Sequence, residues 1–587
     1  MIQEGALIRK AFVSPIMLTA VLLAACSGAT STPASPTSPV ATALPTRTPP
    51  PTATAVVSPT VERVGATEIS RNLPVEVGDI FSTSGSCAIC HTNMEDEGGQ
   101  DVSIDTAWRS TMMANAARDP YWQASVAAEL IENPRLRAVI EDRCATCHMP
   151  MARFMALERG ETVEILGDNG LLTTGNDLHV LAMDGVSCAL CHQIREDNLG
   201  GTASYSGQFT IDPELRAPDR VIFGPYTVED AQAGIMQAAS GFRPEQGLHM
   251  TGATFCATCH TLYTPYVDAT GEVVGEFPEQ VPYFEWFYSD YRRTSSCQDC
   301  HMPEAQGGVK ISNTSSVLRS PFALHTFVGG NAYLLEILKT FADQIGATAT
   351  AAQFEATIAR TRALLAEETA AITLDEVRIS GSRLYVDVVL ENLAGHKFPT
   401  AFPSRRAWIH LTVEDEAGQI LFESGAHNPD GSIVGNANDE DPMQVEQHYL
   451  AIVQPDQVQI YEAILENTEN EVTTVLLQAA SYRKDNRLLP SGFEKAAPIE
   501  DIAVRGGARE DEDFLGGGDE IQYVIDLGEA EGTFTLTVEL LYQSVGYRWV
   551  DNLRGLDAPE VTRFLGYYDA IPNLPEIVAS VETEVSR

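Results

Sequence analysis

Positive charge is scarce in this chain. Lysine and arginine number 38 against 81 aspartates and glutamates, for a formal net charge of -43. A surface that acidic repels phosphate backbones, so nucleic acid is not an expected partner; the charge serves solubility. Long apolar runs are also missing. Beyond the first 25 residues no stretch reaches the length of about 18 apolar residues that a membrane-spanning helix needs. Cysteine is rare, at 11 of 587 residues, and absent after Cys300, which leaves the rest of the chain without a thiol to anchor any group. Histidine is nearly as rare, at 12 residues.

What cysteine there is falls into a pattern. Cys-x-x-Cys-His occurs five times: Cys87–Cys90–His91, Cys144–Cys147–His148, Cys188–Cys191–His192, Cys256–Cys259–His260 and Cys297–Cys300–His301. Each reads as a c-type haem attachment site. Two thiols add across the porphyrin vinyl groups, and the histidine that follows binds iron from the proximal side. A lone Cys-x-x-Cys is equally half a zinc site or a redox dithiol. Five histidines falling after five such pairs by chance has a probability on the order of 10^-9, which decides for five covalently bound haem c groups. Ten cysteines are thereby used, and the eleventh is Cys26.

Cys26 has its own reading. Arg9 and Lys10 precede a mostly apolar run, Ala11 to Ala25, that is short for a span. The run ends in Leu23-Ala24-Ala25-Cys26, which resembles a bacterial lipobox. Residues 1–25 are then a lipoprotein signal peptide and Cys26 is lipidated; the alternative is an ordinary secretory signal with a free thiol near the cut. Residues 26–63 are rich in Thr, Pro and Ser and cannot bury a core, so they form a tether. The expected location is the outer face of a bacterial membrane, periplasmic or at the cell surface.

Beyond the tether the pattern suggests a multidomain chain. Residues 64–330 hold every motif and read as a mostly helical and irregular haem domain, with the porphyrins themselves as core. The motifs are unevenly spaced, so this is no simple repeat array. Residues 331–372 read as a helical connector, with Phe354, Ile358, Leu364 and Leu365 near one face. Residues 373–587 change period. Leu384–Leu390, Trp408–Val413 and the alternation of Phe534, Leu536, Val538 and Leu540 predict strands of an all-β sandwich.

The second axial position of each iron decides between electron transfer and ligand chemistry. His179, His249 and His325 each follow a leucine and lie near motifs, and they are the first distal candidates. His396 sits in a loop after a predicted strand; it either reaches back to an iron or caps its loop by hydrogen bonding. Trp108–Ala116 looks helical, and its Met112 and Met113 are either core filler or the source of a fifth ligand. Met149 and Met302 lie on the proximal side of their own haems. His410, His427 and His448 read as structural or surface residues.

On these residues the chain resembles the multihaem cytochromes c, in particular the group with doubled CxxCH pairs that includes the tetrahaem cytochrome accepting electrons in hydroxylamine oxidation. The resemblance is carried by Asp184-Gly185-Val186-Ser187 before Cys188, by Cys-His-Met-Pro at 147–150 and 300–303, and by His325-Thr326-Phe327-Val328-Gly329-Gly330. Gly395-His396-Lys397-Phe398-Pro399-Thr400 and Lys484-Asp485-Asn486-Arg487-Leu488-Leu489-Pro490 are similar to the C-terminal β domain of a subset of that group. The resemblance implies an electron relay with redox donor and acceptor proteins as partners, the membrane reached through a lipid anchor, and self-assembly into filaments in some relatives. It also implies an alternative, an oxidoreductase acting on a small nitrogen or sulfur compound at one open haem. All five motifs here end in histidine, not the lysine of the pentahaem nitrite reductases, and no catalytic residue is assigned.

Overall fold

The computed structural model describes residues 73–496 and 499–587. The expected signal peptide, Cys26 and the tether lie outside the described residues. All described residues belong to one compact unit.

Short helices separated by turns dominate the motif-bearing half, and the long strands come after residue 370. The helix Pro120–Glu132 shows why helices start where they do. Pro120 stands at its first position, and the Asp119 side chain accepts hydrogen bonds from the N–H groups of Tyr121 and Trp122. The expected connector is a set of helices, Ala332–Thr340, Ala342–Ile345 and Ala351–Glu368. The last begins with a reciprocal cap, Gln353 N–H to Thr350 Oγ1 and Thr350 N–H to Gln353 Oε1. Phe354, Ile358 and Leu365 are buried on its inner face.

Two sheets follow. In a four-stranded sheet the order is Ala451–Ile452, Gly518–Asp526, Arg383–Asn392, Ala370–Ser380. In a seven-stranded sheet Val472–Thr473, Ile460–Glu466, Arg406–Glu414, Thr533–Gln543 and Glu576–Ser586 form the main path; Ile420–Ser424 adds to the third of these and Ser481–Asp485 to the second. Leu384, Val386, Val388 and Leu390 from one sheet and Ile409, Leu411, Val413, Phe534, Leu536, Val538 and Leu540 from the other are buried in a single apolar core. The period-2 alternation therefore points these strands as expected.

Three expectations need correction. The segment after residue 373 is not all β, since the helices Tyr547–Asp551 and Pro559–Ala570 lie within it. Trp108–Ala116 is not a helix. The helix Ile104–Trp108 ends there and the chain continues in turns. Thr111 Oγ1 donates to the Trp108 carbonyl, and the Asn115 amide donates to the carbonyls of Arg109 and Thr111; these side chains bind the backbone locally. The motif-bearing half also contains more strand than its sequence suggests. Leu262–Val267 pairs with Val273–Gln280, and Arg220–Gly224 runs parallel to Phe242–Gln246. Pro265 and Gly275 in the first pair, and Pro244 in the second, hide the alternation.

The motif-bearing half and the sheets share many side-chain contacts. The Glu129 carboxylate accepts the N–H groups of Leu476 and Leu477. Tyr482 donates its hydroxyl to the Pro278 carbonyl, and the rings of Tyr121 and Phe402 meet edge to face at 6.2 Å.

Candidate haem-binding centre

Each motif occupies one turn of helix or the end of one. His91 N–H donates to Cys87 O at 3.1 Å, His192 N–H to Cys188 O at 3.0 Å and His260 N–H to Cys256 O at 3.0 Å. That turn puts both thiols of a motif on one side, and none of the ten motif cysteines forms a disulfide. The fifth motif carries its own cap: Asp299 accepts from the N–H and hydroxyl of Ser296.

The motifs are brought together in a definite order. Asp184, ahead of the third, accepts the N–H of Ser84 at 2.8 Å and its hydroxyl at 2.6 Å, and so holds the start of the first motif's helix. Gly185 follows at φ +63, where a Cβ would lie 2.7 Å from the Ala114 carbonyl oxygen. Gln298, inside the fifth motif, donates its amide to the carbonyls of Met250 and Gly252 just ahead of the fourth, each at 3.0 Å. The turn at Gly207 joins the second and fourth motifs: its N–H donates to Thr258 O at 2.7 Å, and a Cβ there would stand 3.7 Å from Cys147 Sγ. His249, just before the fourth motif, hydrogen-bonds the Ile194 carbonyl just after the third. The resulting order is first, third, fourth, with the second and fifth both joined to the fourth.

The imidazoles are oriented by carbonyls. Nδ1 of His91 meets Ile311 O at 2.6 Å, that of His148 meets Ala116 O at 2.9 Å, that of His192 meets Phe223 O at 2.6 Å and that of His301 meets Val328 O at 2.5 Å. A carbonyl only accepts, so Nδ1 carries the proton and Nε2 keeps a lone pair, the arrangement a metal-binding histidine uses. Burial drives four of the motif histidines toward the neutral form: His148 and His260 are pushed down to about 4, and His91 and His192 are lowered. Trp122 lies flat on His148, with ring centres 4.3 Å apart and planes within 3°.

Two of the distal candidates stand opposite motif histidines. His325 faces His192 with ring centres 6.3 Å apart and planes at 12°, and His396 faces His301 at 6.3 Å and 12°. Two imidazoles on opposite sides of one metal put their centres about 6 Å apart, from metal–nitrogen bonds of about 2 Å and the reach from nitrogen to ring centre. Nδ1 of His325 and His396 is held by Ala323 O at 3.1 Å and Lys397 O at 2.9 Å, again leaving Nε2 free to ligate. Burial pushes His325 down to about 3 and lowers His396. The residues present therefore fit haem iron with two imidazole ligands at the third and fifth motifs.

The remaining candidates are placed differently. His179 has Nδ1 on Leu171 O at 2.9 Å, the same orientation, but among the described residues no histidine ring stands face to face with His91, His148 or His260. His249 is reversed: its Nε2 is the donor, at 2.8 Å from Ile194 O. Met112 packs among Ala332, Leu335 and Leu338 as core filler does, and the Met113 carbonyl accepts from Val186 N–H. His410 lies between Glu423 and Glu539. His448, with Asp511 and Asp519, makes a buried cluster close enough for a cation. Its Nδ1 lone pair is already taken by the amides of Gln459 and Asn486, and Nε2–H points at Asp511, so the cluster is a hydrogen-bond hub. The sequence offered no signal for the role of Trp122 or of Glu285, which pairs with Arg487 at 3.0 Å.

Comparison with known protein families finds no match, and comparison with curated proteins finds none either. Among solved structures the chain is similar to a penta-heme cytochrome c552 from Thermochromatium tepidum, at 16% identity over 86% of this chain and 98% of that one, with a TM-score of 0.47. A likeness that distant fixes neither fold nor chemistry, so the functional reading rests on the chain's own residues.

Proposed function

We propose that the chain is an exported c-type cytochrome that holds five haems covalently and relays electrons between partner proteins. The observation that carries this reading is the pairing of motif histidines with second imidazoles, His192 with His325 and His301 with His396, each across 6.3 Å. Haem iron, when bound, supplies one-electron chemistry by cycling between its ferrous and ferric states. The chain's part is to aim the imidazoles: backbone carbonyls fix Nδ1 of His91, His148, His192, His301, His325 and His396, so that little rearranges when the charge changes. Hydrogen bonds between the segments that carry the motifs, Ser84 with Asp184, His249 with Ile194 and Gln298 with Met250 and Gly252, support a continuous path from the first through the third to the fourth and on to the fifth.

Spin state tests the reading. His325→Ala and His396→Ala should each convert one low-spin ferric haem to high spin; unchanged spectra in both variants would contradict it. An oxidoreductase remains the second reading, favoured by the lack of a facing histidine ring at His91, His148 and His260 among the described residues. A stoichiometric high-spin ferric signal in the unmodified protein, with turnover of nitrite or hydroxylamine, would promote it.

The anchor rests on Leu23-Ala24-Ala25-Cys26. Cys26→Ala should release the protein from membranes or block its processing, and unchanged retention and processing would remove the lipid from the account.

A further inference from the structure

The two C-terminal sequence motifs, around His396 and around Asp485, meet in the structure. Phe398 and Leu488 exchange backbone hydrogen bonds, Phe398 N–H to Leu488 O at 2.9 Å and Leu488 N–H to Phe398 O at 2.8 Å. Beside this bridge lies a buried row of four charges. Lys397 Nζ is 2.7 Å from Asp485 Oδ2. Arg487 grips the same carboxylate with two nitrogens, Nε to Oδ1 at 2.8 Å and Nη2 to Oδ2 at 2.7 Å. Its third nitrogen, Nη1, is 3.0 Å from Glu285 Oε1. Glu285 closes the row by accepting the Lys397 N–H at 3.2 Å and the Thr400 hydroxyl. Two cations and two anions balance, and all four side chains are almost completely excluded from solvent.

This row lies beside His396, whose ring Nδ1 meets the Lys397 carbonyl. The residue after the histidine is fixed twice, by its main-chain N–H and by its ammonium group. The histidine's own carbonyl accepts from the Asn392 amide at 2.9 Å, and that amide also reaches Leu488 O. Glu285 sits in the helix Pro282–Phe287, whose Tyr283 N–H contacts the His260 carbonyl of the fourth motif. A buried ion pair is a costly way to add stability and a good way to select one geometry. A bidentate arginine fork adds directional constraint that a point charge lacks.

We propose that Glu285, Asp485 and Arg487 are positioning residues: with Lys397 they form a latch that holds His396 against the fifth iron. The proposal rests on the reading of His396 as that iron's distal ligand. The latch sets how often the imidazole leaves and so whether a small ligand reaches the iron.

The test is carbon monoxide uptake by the fully haem-loaded, reduced full-length protein, with haem number checked by intact mass. His396→Ala should bind one more carbon monoxide per molecule than the unmodified protein, and millimolar imidazole should close that site again in His396→Gly. Asp485→Asn should take up that extra equivalent within a time in which the unmodified protein takes up none, and Asp485→Asn added to His396→Ala should give no further equivalent. Arg487→Lys keeps the charge, loses the fork and should give the same gain more slowly; it decides the matter if Asp485→Asn does not mature. If His396→Ala gains a site while Asp485→Asn and Arg487→Lys behave as the unmodified protein, the latch is wrong and the ligand assignment stands. If His396→Ala gains nothing, the ligand assignment fails and the latch with it.

Discussion

Glu129 is a carboxyl group held against its nature. Burial pushes it up to about 8, although the N–H groups of Leu476 and Leu477 pull the other way. In the folded protein it keeps a proton that the unfolded chain releases near its ordinary value. Between those two values the folded state binds the extra proton, so stability falls as pH rises through the window, by roughly 1.4 kcal/mol per pH unit for a single group. Glu129→Gln removes the titration and keeps an acceptor oxygen for one of the two N–H groups, so the comparison is of the slope with pH and not of absolute stability. Thermal unfolding of the holoprotein from pH 5 to 8 should show a flatter decline in the variant, and an identical slope would mean that Glu129 is charged in the fold. At this scale the sequence is legible in the repeated spacing of the five motifs and in the rarity of histidine, which singles out His325 and His396, the two whose rings face motif histidines. It does not say which motif histidine each one faces, because His396 meets His301 only after the sheets have folded. Met112 illustrates the opposite limit: methionine fills apolar space and binds iron with the same side chain.

At the scale of elements, the stretch before the third motif joins the turns of the first and third motifs. Asp184 caps the first motif's helix, and Gly185 at φ +63 lets the backbone pass against the carbonyls of Met113 and Ala114. Gly185→Ala adds both an unfavourable backbone conformation and a close contact, and should cost on the order of 1–3 kcal/mol. Chemical denaturation of the holoprotein is the check; a midpoint equal to that of the unmodified protein would show that the approach is loose. Regular elements were readable from sequence where one face alternates with the other, as in Thr533–Gln543. They were not readable at Trp108–Ala116, where apolar spacing suggests a helix but Thr111 and Asn115 spend their hydrogen bonds on the local backbone. The hairpin Leu262–Val267 with Val273–Gln280 was hidden for a related reason, since proline and glycine interrupt its pattern while long-range packing still forms it.

At the scale of the whole molecule, the motif-bearing half and the sheets depend on each other. One sheet-bearing segment brings His396 to the fifth motif, and another satisfies Glu129. Five thiol pairs, four of them followed by an imidazole held by a backbone carbonyl, are a demanding arrangement to maintain for any purpose other than covalent haem. The central claim is that number. Intact mass under denaturing conditions, after removal of any lipid, measures it directly, because thioether bonds survive unfolding and axial ligation does not. The account predicts the mass of the processed chain plus five haems; four or fewer in fully matured protein, or a chain whose thiols remain free and bind zinc, would contradict it.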